Sequence, residues 1–184
     1  MDTTTPIVGP SASTYNNTFI SSFLSYCQTN SVLPDLVTWH ELATAGNADI
    51  EGHVSQYRQL EKQLGISPRR ISINEYARIY DAAVPGFLVR YIARVERAGV
   101  DSACLAFWHL PGRLGDLLNG QAQPNGAWWL YKMYGDFSGM MASVTPPATS
   151  GYGLDGAASY DERSGTARIL IGGANNAYVA QINN

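Results

Sequence analysis

Charged residues are scarce in this 184-residue chain, at 15% against roughly 25% in a typical soluble domain. Twelve Lys and Arg stand against fifteen Asp and Glu, a formal net charge of −3. No basic run occurs, which argues against a nucleic-acid partner or an anionic membrane surface. Apolar runs all fall well short of the roughly 18 residues that mark a membrane-spanning helix. The opening MDTTTPIVGP has neither a charged n-region nor an apolar h-region, so no signal peptide is expected. The two cysteines, Cys27 and Cys104, lie far apart in no metal-binding spacing and read as buried small hydrophobes rather than a disulfide. A glycine-rich phosphate loop is missing too. After the first apolar run the chain reads IVGPSASTYNN, with one glycine and a proline where a phosphate loop needs free N–H groups. That weakens an open nucleotide-binding sheet. Without GxSxG, a Ser-His-Asp hydrolase is not expected; without HExxH or CxxC, neither is a metal centre. The expected site needs no cofactor.

What is present is a real core and an alternating pattern. Hydrophobic residues make up 45% of the chain, and Gly (18) and Tyr (11) are plentiful. Strand-like apolar runs fall at Pro6–Gly9, Leu36–Trp39, Ile71–Ile73 and Ala103–Trp108. Between them lie segments of helical spacing. Phe19, Ile20, Phe23, Leu24, Tyr26 and Cys27 share one face behind the capping run Asn16-Asn17-Thr18. Ile50, Val54, Tyr57, Leu60 and Leu64 form a second stripe, closed by Gly65. Phe87, Leu88, Tyr91, Ile92 and Val95 form a third, between Pro85 and Gly99. An aromatic-rich fourth helix is expected at Gly126–Phe137, with Trp128, Trp129 and Tyr131 packed into the core.

Strand starts recur about every 30 residues, which implies four βα units with parallel strands and right-handed crossovers. Four such units are too few for an eight-stranded barrel, which takes about 250 residues. After Ser143, TPPATSGYG reads as a linker. Gly156–Ser159, Ala167–Ile171 and Tyr178–Ile182 then read as short strands, the first two joined by a turn at Asp161–Gly165. The expected division is 1–143 for the α/β part, 144–153 for the linker and 154–184 for a partial β-sheet.

In parallel α/β folds chemistry sits at the carboxyl ends of the strands. There the sequence has Gly9-Pro10-Ser11, Trp39-His40-Glu41, Asn74-Glu75-Tyr76 and Phe107-Trp108-His109. Carboxylates, imidazoles and flat aromatic faces together suit a sugar, whose hydroxyls need polar partners and whose C–H face needs an apolar platform. Glu75 is the foremost candidate. Alternation puts it on the same side as Ile71 and Ile73, where an unpaired acid is costly to bury. The bland alternative is a strand-end acid that meets solvent or pairs with Arg78 or Arg113. Trp108 reads as a stacking platform or a core tryptophan. His40 reads as a hydrogen-bonding partner of a sugar hydroxyl or of Glu75, or as a structural histidine. Glu41, out of phase with His40, reads as a hydroxyl-binding loop residue or an exposed acid. Asn74 joins the candidate binding set, and His109 and Asp116 are loop candidates.

These motifs, in their order and spacing, resemble the clan A glycoside hydrolases, the (β/α)8 retaining glycosidases, and most closely the β-xylosidase-like family 39 group. The resemblance runs through Ile7-Val8-Gly9-Pro10-Ser11, Asp35-Leu36-Val37-Thr38-Trp39-His40, Ile71-Ser72-Ile73-Asn74-Glu75-Tyr76 and Leu105-Ala106-Phe107-Trp108 as barrel strands five to eight. Trp128–Tyr134 resembles the eighth helix, and Leu154–Gly173 the opening strands of an accessory β-domain. The resemblance implies that residues 1–143 are half of a TIM barrel and that Glu75 is the catalytic nucleophile. His40, Glu41, Asn74, Trp108 and His109 would then contact the substrate. It implies an acid/base carboxyl about 5–5.5 Å from the nucleophile, supplied in the clan by the fourth strand, which this chain does not include. Glu41, on the sixth strand, is not expected to replace it. An extracellular location is implied by the resemblance alone. Two alternatives remain beside catalysis. One is a half-barrel that assembles as a homodimer or with a complementary N-terminal half; the other is a non-catalytic glycan-binding remnant.

Overall fold

Asn16 starts the first helix: its side-chain oxygen accepts the Phe19 N–H at 2.9 Å, pairing one of the donors that a helix start leaves open. The structure, a computed structural model, describes residues 4–42, 46–109, 114–147 and 153–173. In chain order the α/β elements are β1 (Val8–Ala12), α1 (Asn17–Thr29), β2 (Leu36–Glu41), α2 (Gly46–Leu64), β3 (Arg70–Tyr76), α3 (Pro85–Ala98), β4 (Ser102–Leu105) and α4 (Gly126–Gly135). The first four strands form one parallel sheet in the order β1-β2-β3-β4. This is a partial (β/α) barrel. The three short strands β5 (Met140–Ala142), β6 (Asp155–Asp161) and β7 (Thr166–Gly172) make an antiparallel sheet.

The chain divides into two compact units, residues 1–78 with 94–106 and residues 79–93 with 107–184. In the first, the two faces of the parallel sheet differ sharply. Val37, Trp39, Ile71 and Ile73 are fully buried on one face, where Trp39 packs edge-on against Tyr15 and at a tilt against Tyr57 of α2. Helix α2 buries Ile50, Val54, Tyr57 and Leu60 along one stripe. The other face is lined with hydroxyls. Ser102 Oγ donates to Ser72 Oγ at 2.8 Å, and Ser11 Oγ lies 3.2 Å from Thr38 Oγ1. Asp101 ties the start of β4 to β3 by accepting the Ile71 N–H (2.8 Å) and the Arg70 guanidinium (3.1 Å). The Ile71 bond and Arg70 hold its carboxyl below the usual range against the opposing effect of burial.

In the second unit, Asn125 caps α4 by accepting the N–H groups of Ala127 and Trp128. Asp161 organises the β6–β7 turn by accepting the N–H groups of Arg163 and Ser164. The bond from Ser138 to its other oxygen adds to these, and the carboxyl sits below its ordinary pKa. Gly139, at φ +77°, passes so close to the carbonyl oxygen of Tyr160 that any Cβ there would overlap it.

The structure corrects several local expectations. Ile71 and Ile73 do not share a face with Glu75. A β-bulge inserts one extra residue into β3, so that Trp39 pairs with Ile73 but His40 pairs with Glu75. The bulge resets the alternation and turns Glu75 to the hydroxyl-lined face. Cys104 is exposed rather than buried, because β4 presents Ser102 and Cys104 to the open side. Of the α1 face, Ile20, Leu24 and Cys27 are buried, but Phe19 and Tyr26 are exposed. The buried stripe is only i, i+4, i+7 wide. On α4 the buried positions are Ala127 and Leu130, and Trp129 is half exposed. Strand β4 ends at Leu105, leaving Phe107 and Trp108 in irregular backbone. The expected strand at Tyr178–Ile182 lies outside the described residues. No described helix is long and apolar enough to cross a membrane.

Candidate active site

Strands β2 and β3 bring His40 and Glu75 together as register partners. His40 Nδ1 stands 3.1 Å from Glu75 Oε2, with the histidine largely covered and Glu75 46% exposed. Glu75 is thus a half-open carboxylate at a strand end with one oxygen beside the His40 imidazole. Asn74, the bulge residue, reaches past β2 to β1: its Nδ2 donates to Ser11 Oγ at 3.1 Å. Ser11 sits in a second bulge between Pro10 and Ala12, at φ +56°. A non-glycine residue takes that conformation rarely. Its N–H donates to Thr38 Oγ1 at 2.9 Å, and Thr38 is fully buried. Ser11, Thr38 and Asn74 therefore form one polar relay across β1, β2 and β3, beside the His40–Glu75 pair.

Glu41 is neither in a loop nor exposed. It is the last residue of β2 and 1% exposed. Its Oε1 accepts both the Trp39 indole N–H and the His53 Nδ1–H at 2.7 Å. Those two donors answer the desolvation of a buried carboxylate, and they explain why an out-of-phase acid turns inward. Burial works against protonation of His53, but the hydrogen bond to Glu41 and the charges of Glu41 and Asp49 outweigh it, raising its pKa above the ordinary value. Tyr15 stacks on the His53 ring at 4.8 Å. Burial and the Glu41 charge push its hydroxyl up to about 12. The sequence reading missed Tyr15 and His53. The spacing of His53 one position before Val54 on the α2 stripe was the available signal.

In the second unit, Trp108 and His109 follow β4 as irregular backbone with their side chains 37% and 52% exposed. Both N–H groups end on Asp116 Oδ2, at 2.8 and 3.1 Å. Asp116 is fully buried. Arg113 lies outside the described residues. Among the described residues no group of three or more His, Cys, Asp or Glu side chains is placed to hold a metal ion.

No protein-family profile matches the sequence. Two curated relatives do. One is a 3-O-alpha-D-galactosyl-alpha-L-arabinofuranosidase of Bifidobacterium longum subsp. longum, 36% identical over 175 residues. The other is a 3-O-beta-L-arabinopyranosyl-alpha-L-arabinofuranosidase of Bifidobacterium pseudocatenulatum, 34% identical over 183 residues. The matches take in 93% and 97% of this chain but only 15% and 18% of those proteins. Among solved structures, N2152 from Neocallimastix frontalis superposes with a TM-score of 0.89 at 41% identity, covering 95% of this chain and 44% of that one. A glucosidase from Croceicoccus marinus (TM-score 0.71, 17% identity) matches 93% of this chain and 40% of its own. A monomeric beta-xylosidase from Caulobacter crescentus CB15 (0.55, 14%) matches 84% and 39%. The last two share the fold. The sequence relatives are glycoside hydrolases by name, and this chain spans less than a fifth of their length.

Proposed function

We propose, for a chain related in sequence and fold to part of a family 39-like glycoside hydrolase, that it carries the nucleophile half of a retaining glycosidase site. The observation that carries this reading is Glu75, a half-exposed carboxylate at a parallel strand end with one oxygen beside His40. In the reaction, a Glu75 oxygen attacks the anomeric carbon as the glycosidic C–O bond breaks. The leaving oxygen takes a proton from a second carboxylic acid, and water then hydrolyses the glycosyl ester. Glu41 is a poor candidate for that acid, since Trp39 and His53 already occupy it in the interior. In this reading the acid comes from a segment beyond these four βα units, and Glu41 supports the end of β2 beneath His40.

Asn74 and His40 are then the sugar-hydroxyl contacts of the first unit, and in the second unit, taken by itself, Trp108 offers an apolar face and His109 a polar contact to sugar. The substrate is an O-linked glycan. Both curated relatives are named for alpha-L-arabinofuranosidase activity, which makes an α-L-arabinofuranoside the first substrate to test. Extracellular glycan would be the corresponding setting.

The test is covalent labelling of the chain with a 2-fluoro-α-L-arabinofuranosyl donor whose leaving group needs no protonation. Mass spectrometry should find the sugar on the peptide containing Glu75, and Glu75→Gln should remove it. A label on another residue, or one that survives the substitution, overturns the assignment.

A second reading is favoured by the sheet edges. Among the described residues β1 and β4 have no outer strand neighbour, whereas parallel sheets are normally covered. Beside β1 runs a groove of about 440 Å³, lined by Ile7, Val8, Phe23, Cys27, Val32 and Pro34 among others. A complementary half-barrel, or a second copy, would cover both. Light scattering of the isolated chain distinguishes a monomer from a closed dimer, and only the dimer supports self-assembly.

A further inference from the structure

Irregular backbone whose side chains face solvent normally leaves its N–H groups to water. The Trp108–His109 segment does otherwise. Two successive N–H groups converge on a single oxygen, Asp116 Oδ2, at 2.8 and 3.1 Å, beneath side chains that are 37% and 52% exposed. Consecutive N–H groups directed at one anion form a concave nest, and here the anion is built into the chain. Asp116 is 0% exposed, so its carboxylate is held by these donors and not by solvent.

Asp116 is itself tied to a rigid element. Its main-chain carbonyl accepts the Asn125 Nδ2–H at 3.0 Å. Asn125 Oδ1 accepts the Ala127 and Trp128 N–H groups at the start of α4, and the Asn125 N–H goes to Leu117 O. The backbone of Trp108 and His109 is thus referenced, through two side chains, to the N-terminus of a helix. The second carboxylate oxygen, Oδ1, stands 4.0 Å from His109 Nε2 and has no hydrogen bond of its own among the described residues.

We propose that Asp116 is a positioning residue that fixes the Trp108–His109 backbone so that the indole face and the imidazole meet a sugar ring in one orientation. The inference rests on the reading of Trp108 and His109 as glycan-contacting residues. Asp suits the position because an ionised carboxylate is acceptor-only. It takes both N–H groups and adds no buried donor.

The experiment is amide hydrogen exchange, by NMR on the full chain, together with titration by an arabinofuranosyl oligosaccharide. In the unaltered chain the Trp108 and His109 amides should be protected about 100-fold over unstructured peptide, despite their exposed side chains. Asp116→Ala should abolish protection at those two amides and spare Ala127 and Trp128, which Asn125 caps. It should also weaken sugar binding about tenfold. Asp116→Asn, which keeps an acceptor oxygen, should recover much of both.

Unprotected Trp108 and His109 amides in the unaltered chain overturn the proposal, even if Asp116→Ala fails to fold. Protection unchanged in Asp116→Ala overturns it as well. Lost protection with unaltered sugar affinity shows that Asp116 orders a segment that does not bind the sugar. No binding by the unaltered chain overturns the sugar reading on which the proposal rests, and the exchange data still report the backbone role separately.

Discussion

His40 and Glu75 face each other across β2 and β3 because β3 contains one residue more than β2 between matching ends. Without the bulge, Asn74 would oppose His40 and Glu75 would turn to the helix-covered face beside Ile73. The bulge therefore decides that the carboxylate is half open and beside an imidazole, and not a buried acid on an apolar surface. Bulges often re-aim a side chain next to a site, and this one re-aims the proposed nucleophile.

Glu75→Gln is expected to lower glycoside hydrolysis by the assembled enzyme about 10⁴-fold or more, as for other essential nucleophiles. His40→Ala should slow covalent labelling by up to about fivefold, the upper range for a partly exposed ion pair, because Glu75 is half solvated. Rates with an activated fluorosugar measure both. Equal labelling rates for His40→Ala and the unaltered chain would remove His40 from the site.

Thr38 holds Ser11 in its left-handed conformation by accepting its N–H. Thr38→Val keeps the shape but leaves that N–H without its acceptor, at a cost of about 1–3 kcal/mol. Urea unfolding should show the loss in midpoint with an unchanged slope. A Thr38→Ser variant, which keeps the oxygen, should retain most of the stability.

The Glu41–His53 pair makes stability depend on pH. His53 has a raised pKa in the folded chain. Its contribution is therefore complete below the unfolded value of about 6.5 and is lost as pH rises through the folded value. Asp101, whose pKa is lowered, behaves oppositely. Its contribution is present above about 3.9 and disappears as pH falls through the folded value. Thermal melts should therefore lose stability at both ends, and His53→Gln should flatten only the neutral-to-alkaline limb. His53→Ala should in addition destabilise by about 3 kcal/mol, as expected when one partner of a buried pair is removed.

Gly139→Ala places a methyl group against the Tyr160 carbonyl at a positive φ. The cost should exceed the roughly 1 kcal/mol of an ordinary glycine replacement. It should fall on the β5–β6–β7 sheet. Hydrogen exchange at the β5–β6 ladder should rise, and exchange in the parallel sheet should stay as it was.

Much of this chain could be read locally. Alternating apolar runs and helical stripes placed the four βα units, and Asn16 and Gly65 marked helix ends, because these signals depend on neighbours within a few turns. Strand-end position, with alternation for Glu75, made His40 and Glu75 candidates. Sequence could not show that Glu41 turns inward. Its partners, Trp39 and His53, lie on a strand and a helix, and only folding brings both N–H groups to one oxygen. Nor could it show the β3 bulge: strict alternation predicts the wrong face for Glu75, and an extra residue is recognisable only against the register of the neighbouring strand. The same holds for Asp116, whose role depends on backbone donors at Trp108 and His109. The sequence by itself determined the elements, their parallel order and the residue types at the strand ends, because periodicity and burial of apolar surface act along the chain. Only the tertiary structure decided which of those residues are paired, buried or open, because hydrogen bonds between strands and desolvation of charge depend on what lies across the sheet.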